Sequence, residues 1–185
     1  MKEPLNDANT HFINNQEWTI YADGTVVCQS VLLPRGNPLE LLRLGYEFQF
    51  PANLGNVAYY GRGPEENYAD RKSGMPLGVY KTTAKDSFFP YGRPQDCGNH
   101  EDTRWVAVTD DKGQGLLFGS LGTPFAFSAI PYTTTELILA NHPVELPKTT
   151  DRTVLVLSAA TRGLGGASCG PGPMSRDIIK ANKPY

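Results

Sequence analysis

Hydrophobic and polar residues alternate with a period of two along much of this chain. Leu42, Leu44, Tyr46, Phe48 and Phe50 interleave with Arg43, Gly45, Glu47 and Gln49, which predicts a strand with one buried face. Upstream, Glu17–Tyr21 and Thr25–Cys28 are β-prone runs on either side of Ala22-Asp23-Gly24. Asp-Gly supplies the positive φ angles of a tight hairpin, so these runs are expected to pair. The second arm continues through Leu33 to Pro34, and a turn follows at Arg35-Gly36-Asn37-Pro38. Further strands are expected at Val57–Tyr60, Gly78–Thr82, Arg104–Thr109, Leu116–Ser120, Phe125–Ile130 and Thr153–Ser158. Asp110-Asp111-Lys112-Gly113 is expected to join two of them as a second hairpin loop.

A single helix is expected, near 133–141. Thr133 with Glu136 three residues on forms a capping box, in which the hydroxyl accepts the N3 amide and the carboxylate reaches back. Leu137, Ile138 and Leu139 supply its apolar side before Asn141, His142 and Pro143 end the turn. Many short strands punctuated by turns point to an all-β, antiparallel sandwich or barrel. Residues 17–175 are expected to form one β-sandwich domain, between a loosely ordered segment at 1–16 and a C-terminal tail at 176–185.

Composition narrows the function classes without choosing one. The 185 residues carry a formal charge of −2, which argues against nucleic acid or an anionic membrane as partner, since both require a basic face. No apolar run approaches the roughly 18 residues of a membrane span. The three cysteines, Cys28, Cys97 and Cys169, form no CxxC pair, and the three histidines lack zinc-site spacing, so neither a disulfide framework nor a metal is expected.

Three polar clusters could carry chemistry. The first spans Gly61 to Arg71, where Glu66, Asn67, Asp70 and Arg71 crowd a loop after a Gly-Arg-Gly-Pro exit. Two carboxylates in a cleft could be the acid and base of a glycosidase or could bind sugar hydroxyls. Carboxylates beside arginines more often build a structural network, and that reading is preferred. The second spans Pro94 to Trp105 and includes Asn99, His100, Glu101, Arg104 and Trp105. Amides, acids and a ring are the groups that line sugar pockets, but successive residues of a strand face opposite ways, so His100 and Glu101 cannot share one site if extended. The third, Arg162 to Pro173, is glycine-rich. With no helix pattern and no lysine after it, and with Pro171 and Pro173 removing amides, it does not cradle phosphate. Ser168-Cys169 lacks an identifiable base, so a tight loop is the preferred reading.

Taken in order, these segments resemble the C-terminal domain of the large bacterial β-galactosidases of glycoside hydrolase family 2. The markers are Tyr60-Gly61-Arg62-Gly63-Pro64-Glu65-Glu66-Asn67-Tyr68 with Asp70-Arg71, Pro94-Gln95, Gly98-Asn99, Arg104-Trp105, Pro131-Tyr132, His142 and Gly163-Leu164-Gly165-Gly166. The resemblance runs from about Trp18 to Pro171. It implies a galactose-mutarotase-like β-supersandwich, here incomplete at its N-terminal side, and therefore a piece of a larger protein. It also implies that the catalytic glutamates lie on a (β/α)₈ barrel elsewhere, because nothing here alternates strands and helices over the approximately 250 residues of such a barrel.

The expected role is a non-catalytic segment that packs on the barrel and lends a loop to the galactoside pocket, with Asn99, Gly166, Ser168 and Cys169 as substrate-binding candidates. Glu66, Asn67, Asp70, Arg71, Arg104 and Trp105 are expected to form a structural loop network, with no cofactor in this segment. In some relatives a tryptophan on the glycine-rich loop stacks on substrate. Its position falls here on Cys169 or Gly170, neither of which offers a ring. The expected partners are the remainder of the parent hydrolase, galactosides, and a second copy through open sheet edges. The compartment, bacterial cytoplasm or periplasm, follows the parent. Two other readings stay open: a stand-alone carbohydrate-binding module using Trp18, Trp105 or a tyrosine as its floor, and a mutarotase-like epimerase using His100 with Glu101 or His142 with Glu145.

Overall fold

A computed structural model of the protein describes residues 10–37, 39–166 and 169–185. The strands are β1 (His11–Ile20), β2 (Val26–Arg35), β3 (Glu40–Leu41), β4 (Arg43–Pro51), β5 (Asn56–Arg62), β6 (Leu77–Thr83), β7 (His100–Thr103), β8 (Trp105–Thr109), β9 (Gly115–Gly119), β10 (Phe125–Ile130), β11 (Arg152–Thr161) and β12 (Ile179–Lys180). The helix α1 covers Thr134–Leu139. Two compact units result: one holds the chain up to Leu41 together with Ile178–Tyr185, the other Leu42–Asp177.

The larger unit is an all-β antiparallel sandwich. One sheet has the order β4-β11-β10-β7 and the other β6-β5-β8-β9. Their facing side chains form the core: Val57 and Tyr59 from β5, Val106 and Val108 from β8, Phe127 and Ala129 from β10, and Leu155 from β11, with Phe48, Phe50, Tyr80 and Phe118 packed around them. The alternating pattern from Leu44 to Phe50 is the inner face of β4. Leu42 departs from it: it precedes the strand and is 72% exposed. A second, smaller cluster covers the opposite face of β10, where Ile130 packs with Leu137, Ala140, Leu146 and Cys97. That cover explains why Val154 and Leu155, which point to opposite faces of β11, are both fully buried.

The helix begins as its capping box requires. Glu136 N donates to Thr133 Oγ1 at 3.1 Å, and Thr133 N donates to Glu136 Oε2 at 2.8 Å. The loop at Asp110–Gly113 joins β8 to β9, with Lys112 N and Gln114 N both donating to Asp110 Oδ1 at 2.9 Å.

The smaller unit consists of the β1–β2 hairpin and a short β3–β12 pair. Asp23-Gly24 makes the hairpin turn, with Gly24 at φ 88° and Thr25 N donating to Asp23 Oδ1. The boundaries differ from those drawn on the sequence. His11–Gln16 is the first half of β1, and in the C-terminal segment Ile179–Lys180 pairs with β3 while Tyr185 exchanges two backbone hydrogen bonds with Leu32. Alternation is weak in both segments, so local pattern did not mark them as strands.

Phe127 is 1% exposed and meets Tyr59 edge-on at 5.0 Å between ring centroids. Phe127→Ala is expected to destabilise the sandwich by about 3–5 kcal/mol, read as a lower urea midpoint with an unchanged slope.

Candidate functional site

The polar clusters meet at one end of the sandwich, around the exit of β5. Asn67, fully buried, is the joint. Its Nδ2 donates to the Arg62 carbonyl at 3.1 Å and the Glu65 carbonyl at 3.0 Å, and its Oδ1 accepts Glu101 N at 2.8 Å. The backbone N–H of Asn67 donates to the Asn99 carbonyl at 2.7 Å, and Asn99 Nδ2 returns a 2.7 Å bond to the Asn67 carbonyl. One carboxamide therefore ties the Gly-Arg-Gly-Pro loop to β7.

Each neighbouring carboxylate is engaged. Glu66 accepts from Tyr68 OH at 3.1 Å, Gly98 N at 2.8 Å, Arg71 at 3.2 Å and Tyr91 OH. Gly98 can present that amide because it sits at φ 67° with Ser87 O 2.5 Å from where a Cβ would stand. Asp70 reaches the glycine-rich loop and accepts Leu164 N at 3.0 Å and Gly165 N at 2.7 Å. A side chain at Gly163 would stand 2.7 Å from the same carboxylate. Asp102 pairs with Arg62 and with Lys72, the latter at 2.8 Å. Burial opposes ionisation of both Asp70 and Asp102, but the donors around each hold it below its ordinary carboxylate range.

β7 is extended, so His100 and Glu101 face opposite ways. Glu101, 8% exposed, accepts from Asn99 Nδ2 at 3.0 Å and Thr161 Oγ1 at 2.5 Å. His100 turns into the core, with Nδ1 3.0 Å from the Arg62 carbonyl and 3.1 Å from Tyr59 OH. Burial pushes its pKa down to about 4, so the ring is neutral at pH 7.

Two adjoining clefts open beside this network. The first, about 260 Å³, is lined by Leu42, Arg43, Tyr68, Gln95, Asp96, Cys97, Asn99, Ser128 and Thr161 to Leu164. The second, about 360 Å³, is bounded by Glu66, Tyr68, Arg71, Tyr91, Gln95, Asp96, Leu164 and Gly165.

Of the expected binding residues, Asn99 lines the first cleft. Gly166 and Cys169 lie in a turn beyond it, where Gly166 N donates to the Pro171 carbonyl and Cys169 N to the Gly166 carbonyl. Ser168 lies outside the described residues. Among the expected network residues, Glu66, Asn67, Asp70 and Arg71 sit together. Arg104 lies apart from them, over the Tyr60 ring at 5.5 Å and bonded to the Asp102 carbonyl, while Trp105 is half-buried on β8. Neither tryptophan lines either of these two clefts. Reasoning on sequence missed Arg62, Lys72, Tyr91 and Arg43. Of these, Arg62 alone carried a signal, as the charged residue between two glycines. Among the described residues, no group of three or more His, Cys, Asp or Glu is placed to hold a metal, and no helix is long and apolar enough to cross a membrane.

Asn67→Asp keeps the shape but sets a carboxylate against two carbonyls. A loss of about 3 kcal/mol or more is expected in urea denaturation at pH 7. His100 has a second, pH-linked effect. Its folded pKa lies below the unfolded 6.5, so the unfolded chain binds the extra proton first. Stability from this group is complete above about pH 6.5 and falls by about 3 kcal/mol as pH drops toward 4. His100→Gln should remove that part of the pH slope, measured as urea midpoints across pH 4–7.

The chain that folds into these loops is similar to known proteins. The family described as beta galactosidase small chain matches residues 4–185. A β-galactosidase of Priestia megaterium is 38% identical over 149 residues, covering 80% of this chain and 14% of that protein. Beta-galactosidase BgaC of Bifidobacterium adolescentis is 48% identical over 124 residues, 66% of this chain and 12% of that protein. A β-galactosidase small subunit of Latilactobacillus sakei is 38% identical over 159 residues, 80% of this chain and 49% of that protein. The chain thus spans less than a fifth of the two long relatives and about half of the small subunit. The match runs through every loop of the site, and the chain belongs to the β-galactosidase small-chain family.

Proposed function

We propose that this chain acts as the C-terminal β-sandwich segment of a glycoside hydrolase family 2 β-galactosidase. It has no catalytic groups of its own, packs on the part that carries the catalytic glutamates, and lends its glycine-rich loop to the galactoside pocket. The observation that carries this reading is the use of the carboxylates. Glycoside hydrolysis needs two carboxyl groups flanking the bond, one of them with a raised pKa. Here Glu66 takes four donors, Asp70 clamps the loop, Glu101 is sealed under Asn99 and Thr161, and Asp102 is paired with Arg62 and Lys72. Asp70 and Asp102 are shifted downward, the wrong direction for a general acid. His100 is buried against Tyr59 and Phe127 and lines neither of the two clefts.

The same contacts suit a loop-presenting role. Asp70 fixes Leu164 and Gly165 at the root of the glycine-rich loop, so its tip is offered on a rigid base. The name of the Latilactobacillus sakei relative, a small subunit, supports a larger galactosidase chain as partner.

The test is hydrolysis of a chromogenic β-galactoside. The chain alone is expected to give no turnover, and co-expression with a galactosidase segment carrying the catalytic glutamates is expected to restore it. Asp70→Asn should lower the restored kcat/KM about ten-fold or more while the two parts still co-purify. Turnover by the chain alone would overturn the proposal, as would restored activity indifferent to Asp70→Asn.

A further inference from the structure

We infer that the outward face of the sheet β6-β5-β8-β9 is the surface on which a larger galactosidase chain seats, through a partner patch that is apolar at its centre and acidic around it. This rests on the association proposed above and names the face that makes it. Successive residues of a strand point to opposite sides of their sheet. In β5 and β8 the inward set, Val57, Tyr59, Val106 and Val108, fills the core. The outward set is apolar as well. Tyr60 stands between Val79 and Trp105, and in the next row Ala58 and Ala107 lead to Leu117. An antiparallel sheet with one face on a core commonly turns polar residues to the water on the other. Strands that are apolar on both sides are built to be covered twice. The other sheet follows that rule within this chain: β10 and β11 are apolar on both sides, and the cluster around Leu137 covers their outer face. The face of β5 and β8 stays open. Val79 is 63% exposed, Leu117 70%, and Leu77, at the start of β6, 43%. Contiguous apolar surface of this kind marks an interaction site.

The make-up of the face selects its occupant. Tyr60 and Trp105 are direct cross-strand neighbours, and the Arg104 guanidinium lies 5.5 Å from the centre of the Tyr60 ring. Tyr, Trp and Arg are the residues in which interface energy concentrates, near the middle of a patch. Lys81, in the same row as Ala58, is exposed and has no ion pair among the described residues. The four strands contain no Asp or Glu. Cations without carboxylates call for acid on the partner. The same imbalance disfavours a second copy. An isologous dimer would set this face on its duplicate and bring Lys81 and Arg104 against a surface with no acid. The Priestia megaterium relative has ample chain for the role: the match covers 14% of it, so most of such a protein remains to supply the partner patch.

The test is binding of the purified chain to a galactosidase segment that carries the catalytic glutamates, with 5-fluorotryptophan in this chain alone and fluorine NMR as readout. The chain has two tryptophans, Trp18 and Trp105, and Trp18→Phe assigns their signals. The Trp105 signal is expected to shift when the segment is added. Leu117→Glu and Lys81→Glu are each expected to weaken binding about ten-fold or more. Leu139→Glu, at a 73% exposed position on α1, should leave it unchanged. All three positions are exposed, so the urea midpoints of the free variants should match the wild type. A wild type that binds with an unmoved Trp105 signal, or with affinity indifferent to both sheet variants, would overturn the inference and leave the proposed association standing. No binding by the wild type would overturn that association and the inference with it. A free chain that sediments as a dimer, with the dimer lost in Leu117→Glu, would give the face to a second copy and so overturn the inference alone.

Discussion

The end of the sandwich that carries the clefts depends on the burial of Asn67. Its carboxamide supplies two donors and an acceptor in a fixed plane, and the three backbone groups it meets belong to two separate segments. Without it the carbonyl of Glu65 and the amide of Glu101 would lose this partner in a region closed to water, and the Arg62 carbonyl would keep only His100 Nδ1. An unpaired buried polar group costs about 1–3 kcal/mol. The irregular exit of β5 therefore persists because one side chain replaces the ladder hydrogen bonds that end there.

Around that joint, charge is used to hold backbone in place. Glu66 gathers a tyrosine from its own loop, another from the 91 position, an arginine and a backbone amide. Asp70 binds two consecutive amides of the glycine-rich loop. Asp102, in the left-handed region at φ 52°, is set between Arg62 and Lys72. The donors around Asp70 and Asp102 hold both carboxyls below their ordinary range.

Much of the sandwich was readable from local pattern. The alternation from Leu44 to Phe50, the Asp23-Gly24 and Asp110–Gly113 turns and the Thr133–Glu136 box each depend on contacts within a few residues, and each formed where expected. The paired β3 and β12 were not readable, because two-residue strands have no period to detect. Leu42 was assigned to the buried face because it continues the alternation, yet the chain bends ahead of β4 and leaves it on the surface. The site was legible in parts. Glu66, Asn67, Asp70 and Arg71 crowd one stretch of sequence, whereas Arg43, Tyr91 and Ser128 join the same region from well outside that stretch and carry no local mark.

What the sequence determined by itself is the all-β architecture, its turns and its one helix, together with the family that its ordered motifs identify. These follow from side-chain period and from backbone preferences of Gly, Asp and Thr, which act over a few residues. The tertiary structure alone decided the fate of the polar groups. It turned His100 into the core and left it neutral, placed Glu101 under Asn99, and brought Ser128 and Thr161 from two strands to one wall. Such choices depend on which strands become neighbours, and β10 and β11 pair although the helix lies between them in the sequence.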